Sequence, residues 1–179
     1  MDSWKCFEDF EDGFVFEFTV PGLNRDEIVG FARYYDPQRF HLSEEAAEKT
    51  HFGRLIASGF QTQLLCFQPF CRQVLNSAHA VGAPGIDELK WLRPWYPGED
   101  LEGTVTLLSK RPSSSRQDRG YLEFLLEASA AGKTVLAMRQ FSPAQPEPSR
   151  EAWRPQSRRP GTQVTSESRP ARAVALPST

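Results

Sequence analysis

Residues 33–59 read RYYDPQRFHLSEEAAEKTHFGRLIASG, and the organisation of the chain follows from them. Asp36 and His41 place an acid and an imidazole five positions apart. Pro37 biases Asp36 away from helical geometry, so the interval reads as an irregular crossing segment in which two such side chains can converge. Ser43 is suited to cap a short helix, whose first turn carries Glu44 and Glu45 as the helix dipole favours. Gly59 stands just before Phe60, at the start of the longest apolar-striped segment, where its N–H is a candidate orphan donor. A carboxylate, an imidazole and a helix-end N–H are the groups needed to move protons beside a polarised carbonyl.

From Gly59 onward Phe60, Leu64, Phe67, Cys71 and Val74 recur at helical spacing, predicting one long helix with this stripe in the core. Leu65, Phe70 and Leu75 widen the stripe, and Pro69 predicts a kink. Upstream, Phe14, Phe16, Phe18 and Val20 alternate with polar or smaller residues as in a strand. Pro21-Gly22 ends it. Asn24 and Glu27 have capping-box spacing for a helix whose inner face carries Ile28, Ala32 and Tyr35. Downstream, four strands are predicted. One holds Leu89 and Trp91, and the next runs from Thr104 to Leu108. The third alternates through Leu122, Phe124, Leu126 and Ala128, and a turn at Ala131-Gly132 leads to the last, with Val135, Ala137, Arg139 and Phe141. One sheet wrapped around one long helix is the α+β arrangement this order fits.

At 179 residues, one domain with extensions is expected. The divisions are an N-terminal arm at 1–13, a single domain at 14–143 and a tail at 144–179. The tail is rich in Pro, Ser and Arg, lacks periodicity, and cannot bury enough apolar surface to offset its ordering entropy, so disorder is expected. Its six Arg and three Glu carry +3, which leaves −5 of the net −2 for the rest. An acidic domain argues against nucleic acid as a partner. No apolar run approaches the ~20 residues of a membrane helix, and the acidic start of the chain lacks a secretory h-region. Cys6, Cys66 and Cys71 are odd in number and without CxxC spacing, and read as reduced thiols of a cytoplasmic protein. No dinucleotide fingerprint, P-loop, zinc constellation or Gly-x-Ser-x-Gly elbow is present. Of the three histidines, His79 lies near a helix end and His51 in a short linker without an acidic neighbour. Only His41 has a carboxylate in reach. Arg39 could pair with that carboxylate and lower its pKa, weakening it as a base.

The stretch resembles the MaoC-like (R)-specific enoyl-CoA hydratases and dehydratases, a hotdog-fold family. The matching residues are Asp36, His41, Ala46, Ala47, Phe52, Ile56, Ala57 and Gly59, with Gln38 and Arg39 standing where the family has Asn and Pro, and Ser58 where it has His. Leu89–Pro94 with Pro97–Leu101, and Ser113, Ser115, Arg116 and Gly120, resemble two further motifs in the same order. The resemblance spans about Phe14 to Pro143. It implies a hotdog fold and reversible addition of water across a 2-enoyl thioester, with acyl-CoA the expected substrate, to give a 3-hydroxyacyl thioester. Asp36 would hold and deprotonate the water, His41 would orient it or supply the α-proton, and the Gly59 N–H would stabilise the thioester oxygen. Ser58, Phe40, Arg39, Arg93 and Arg116 are candidate substrate contacts. For the CoA phosphates, Lys90, Lys110, Arg111 and Arg119 join Arg93 and Arg116. The family also implies a homodimer, an acyl-CoA or acyl-carrier thioester as substrate, and neither metal nor redox cofactor. Two other functions share the fold, a hotdog thioesterase and a non-catalytic module that binds an acyl thioester or a partner.

Overall fold

The structure, a computed structural model, describes residues 5–78 and 80–146. The tail expected to be disordered from residue 144 begins later, since Ala144 is a buried strand residue; its part after residue 146 and the placement of His79 lie outside the described residues. A 3₁₀ turn at Phe7–Asp9 is followed by strand β1 (Val15–Val20) and helices α1 (Arg25–Tyr35), α2 (Arg39–Leu42), α3 (Glu44–Glu48) and α4 (Gly59–Phe70). Strands β2 (Ile86–Trp91), β3 (Leu101–Pro112), β4 (Gly120–Ala130) and β5 (Lys133–Ala144) complete one antiparallel sheet in the order β1-β3-β4-β5-β2. Helix α4 packs on its inner face: Cys66, Phe70 and Val74 join Phe18, Val105, Leu122 and Phe124 in one buried cluster. This is the expected sheet-and-helix architecture of a hotdog. No helix among the described residues is long and apolar enough to cross a membrane.

Local chemistry sets the boundaries. Asn24 and Glu27 form the reciprocal capping box, at 3.0 Å (Glu27 N–H to Asn24 Oδ1) and 2.8 Å (Asn24 N–H to Glu27 Oε2). The Ser43 hydroxyl accepts the Ala46 N–H at 3.3 Å and starts α3. Pro69 lies inside α4, and the chain responds by widening into a π-helix at Cys71–Leu75, where Asn76 N–H reaches the Cys71 carbonyl. A π turn accommodates a missing donor and a clashing ring without ending the helix. The hairpin at Ala131-Gly132 has both residues at positive φ, 48° and 71°, the geometry of a two-residue turn matched to strand twist.

Three faces differ from their expected orientation. In α4 the buried row is Thr62, Cys66, Phe70 and Val74 together with Gln61, whereas Phe60 and Leu64 are 52% and 56% exposed in the single chain. Of the polar members of the buried row, Thr62 Oγ1 donates to the Ser58 carbonyl at 3.0 Å and Gln61 Nε2 to the Glu27 carbonyl at 3.1 Å, while Gln61 Oε1 is buried without a partner among the described residues. In α1 the inner residues are Ile28, Val29 and Ala32. Tyr35 points outward against Phe31, since the chain leaves the helix at Asp36. In β5 the buried face is Leu136, Met138, Gln140 and Ser142, not Ala137, Arg139 and Phe141. Register explains it: Ser129 pairs with Thr134 and Ala128 with Leu136, so Val135 is an extra residue that inverts parity beyond it.

The N-terminal residues contribute to the core. Phe10 is fully buried and meets Phe14 and Phe124 edge-on at 5.4 and 5.9 Å. A second tie joins the ends of β1 and the β2–β3 connection. Gly22 N–H donates to Asp100 Oδ1 at 2.7 Å, and a Cβ on Gly22 would lie 2.5 Å from the Gly98 carbonyl carbon. That neighbour is backbone and cannot swing aside, so Gly22→Ala is expected to cost about 1–3 kcal/mol as overpacking. Urea unfolding checks it; an unchanged midpoint would show that the two segments are not locked together.

Candidate active site

Asp36 is the C-cap of α1, its N–H bound to the Ala32 carbonyl at 3.0 Å. The crossing segment is irregular only through Gln38. It then makes a single helical turn, α2, which presents His41 back toward Asp36. His41 Nε2 lies 3.3 Å from Asp36 Oδ2, and the imidazole is buried at 3% exposure. On its other side His41 Nδ1 is 2.8 Å from the Ile56 carbonyl oxygen. A carbonyl can only accept, so Nδ1 carries a proton and donates it there, leaving Nε2 as the ring atom that faces Asp36.

The carboxylate is fixed by two further donors. Ser58 Oγ donates to Asp36 Oδ2 at 2.6 Å and Gln38 Nε2 to Oδ1 at 2.8 Å. Burial pushes the Asp36 pKa up, but the hydrogen bonds from Ser58 and Gln38 and the nearby His41 outweigh it and hold the group below the usual aspartate value. Asp36 Oδ2 and His41 Nε2 therefore stand within 3.3 Å of each other, close enough for carboxylate and imidazole to share a proton. Ser58→Ala should let the Asp36 pKa rise. The acidic limb of kcat/KM then moves to higher pH, which a pH–rate profile reads. The sign for stability is the same. A carboxyl held below its unfolded value stabilises the fold above that value and loses the contribution as pH falls through the folded pKa, and Ser58→Ala shrinks it.

Gly59 opens α4 beside this pair. Ser58 is the N-cap, and its hydroxyl accepts the Phe60 N–H at 3.2 Å. The Gly59 N–H meets no protein acceptor among the described residues. Asp36, His41 and Gly59 line one cavity of ≈ 280 Å³, together with apolar walls that include Phe40, Phe52, Phe60, Trp91 and Trp95. A larger surface hollow, ≈ 820 Å³, lies by Glu17, Glu102 and Glu127 and contains none of these groups, so chemistry rather than size marks the site.

The other expected contacts separate. Phe40 and Arg93 line the cavity; Arg93 is paired with Glu99 at 3.1 and 2.6 Å. Ser58 is fully buried with its hydroxyl committed to Asp36 and Phe60, so it orients the acid rather than facing the cavity. Arg39 is exposed on α2 beside a different hollow and makes no ion pair with Asp36. Arg116 sits in the exposed β3–β4 loop, 3.8 Å from Asp118, away from the cavity lining. Lys90 pairs with Glu88 at 2.5 Å, Arg119 with Asp118 at 2.8 Å, and Lys110 donates to the Phe10 carbonyl at 2.7 Å. Sequence reading did not assign the Ile56 carbonyl, Gln38 as an anchor of Asp36, or Trp95. The first is backbone and leaves no side-chain signal; Gln38 was detectable as a polar neighbour two residues from the acid. Among the described residues no His, Cys, Asp or Glu cluster is arranged to hold a metal ion.

A sheet-wrapped helix whose N-terminus meets an Asp–His pair defines a class, and comparison with known proteins places the chain within it. Residues 12–121 match the MaoC-like domain model, and the chain belongs to that family of hydratases and dehydratases. A MaoC-like dehydratase of Rhodospirillum rubrum is 31% identical, with a TM-score of 0.74 over 80% of this chain and 99% of that one. The (R)-hydratase PhaJ1 of Pseudomonas aeruginosa shares the fold at 24% identity and a TM-score of 0.62, covering 79% of this chain and 86% of that one. YdeM of Bacillus subtilis (strain 168), an uncharacterised protein, is 31% identical over 119 residues, 66% of this chain and 83% of that protein.

Proposed function

We propose that this chain adds water across, or removes it from, a 2-enoyl thioester, with acyl-CoA as the substrate class, in the cytoplasm. The observation that carries the reading is the Asp36–His41 pair, 3.3 Å apart, facing the same cavity as the unpaired Gly59 N–H. Water would sit in the cavity beside Asp36 and His41 Nε2, its oxygen lone pair turned to the β-carbon. As the C–O bond forms, the alkene π pair moves toward the thioester oxygen, which gains negative charge. The Gly59 N–H, at the positive end of α4, stabilises that charge in the enolate. The proton released by water passes into the Asp36–His41 pair, which returns a proton to the α-carbon, so the net change is one water added.

Apolar walls suit the acyl chain, and among the described residues Arg93 is the cation that lines the cavity and would meet an anionic handle. The reaction is tested by following enoyl absorbance and free thiol in one sample. Absorbance lost without thiol release supports hydration. Thiol release without hydration would move the reading to a thioesterase.

A homodimer is part of the proposal. Strand β2 is a sheet edge whose outer residues are exposed, and Phe60, Leu64, Trp91 and Leu92 around it are each roughly half exposed, at 52, 56, 46 and 57%. Bare edges and clustered large apolar groups are what a second copy would cover. Light scattering during size exclusion should give twice the chain mass; a monomer at micromolar concentration would contradict it.

A further inference from the structure

Trp91 ends the edge strand β2, far in sequence from the helix start, yet its indole lies directly against Gly59. The ring Nε1–H donates to the Gly59 carbonyl at 2.8 Å. A Cβ built on Gly59 would stand 2.6 Å from Trp91 Cε2 and 2.8 Å from both Cδ2 and Nε1. The Phe60 ring meets the same indole edge-on, with centroids 5.3 Å apart. The peptide joining Gly59 to Phe60 is therefore held at both ends, its C=O by Trp91 and its N–H by Ser58 Oγ at 3.2 Å. With the Phe60 N–H committed to the cap, the N–H left to the cavity at this end of α4 is that of Gly59. Trp91 itself lines that cavity.

We propose that Trp91 is a positioning residue, its indole clamping the first peptide of α4 so that the Gly59 N–H stays presented to the thioester oxygen. The inference rests on the hydratase reading above and deepens it. Glycine at 59 is then required by the indole as much as by the helix start, since any side chain there displaces the clamp. The clamp acts through a donor whose benefit appears as charge develops on oxygen, so its loss should appear in kcat more than in KM.

The test compares the unsubstituted protein with Trp91→Phe, Trp91→Ala, Gly59→Ala and the Gly59→Ala/Trp91→Ala double variant, using trans-2-butenoyl-CoA and thermal melts of each. Trp91→Phe keeps a ring against Gly59 and removes only the N–H; kcat should fall about tenfold with KM within about twofold. Gly59→Ala should cost about a hundredfold when Trp91 is present, but no more than about threefold further in the Trp91→Ala background, because the clash is then gone. Wild-type kcat in Trp91→Phe, or a Gly59→Ala loss that is the same in both backgrounds, overturns the clamp and leaves the hydratase reading intact. If Gly59→Ala does not fold, Trp91→Phe decides alone. Absence of turnover by the unsubstituted protein on this and on medium and branched trans-2-enoyl-CoAs overturns both together.

Discussion

Asp36→Asn should reduce kcat for enoyl-thioester hydration by about 10²–10⁴-fold while the protein stays folded. Asparagine has the same shape, and its carbonyl oxygen can still accept from Ser58 Oγ, which lies 2.6 Å from Oδ2 in the native side chain. What it lacks is the negative charge that complements His41 and the basicity to hold a water for attack. His41→Ala removes the other half of the pair and should cost a similar factor. The double variant should be little worse than either single one, because groups acting as one unit are strongly non-additive. Initial rates with circular dichroism on each variant check this. Additive losses would mean that Asp36 and His41 work in separate steps rather than on one water.

Trp95→Ala carries the largest expected effect on stability. The side chain is 1% exposed, and its Nε1–H donates to the Glu99 carbonyl at 2.7 Å. Its own carbonyl accepts the Ala57 N–H at 2.9 Å, tying the β2–β3 connection to the residues that lead into α4. Truncation removes a large buried ring, leaves a cavity and orphans a carbonyl, at a cost of about 3–5 kcal/mol. Chemical denaturation measures it, and a loss under about 1 kcal/mol would mean that the site collapses around the missing ring. Trp95 also lines the cavity that holds Asp36 and His41, so under the proposed function a surviving variant should bind substrate less well.

The parts of this molecule that were legible in its sequence are those specified by short-range chemistry. The Asn24–Glu27 box, the Ser43 cap and the alternation through Leu122, Phe124, Leu126 and Ala128 each need only a few residues to be read, and each is found. Family resemblance added the long-range conclusion that this helix and these strands make a hotdog. Orientation was less legible. The apolar row from Phe60 to Cys71 looked like the core side of α4, but the sheet takes the row through Thr62 and Cys66, and hydrophobicity alone cannot distinguish a core from a surface awaiting another chain. The parity of β5 depended on one extra residue, Val135, which pairing with β4 reveals and period-two counting does not. At the site, Asp36 and His41 were visible as a pair, and the structure brings them together. The groups that tune them, the Ile56 carbonyl and the hydroxyl of Ser58 twenty-two residues from the acid, are contacts across loops that no local spacing encodes.

The most direct test of the central claim is to mix the unsubstituted protein with a trans-2-enoyl-CoA, monitor enoyl absorbance and weigh the product by mass spectrometry. The expected result is a fall in absorbance and a product heavier by one water, still a thioester, formed at a rate that collapses in Asp36→Asn. Absorbance that does not change across short, medium and branched acyl chains, or a rate indifferent to Asp36→Asn, would contradict it.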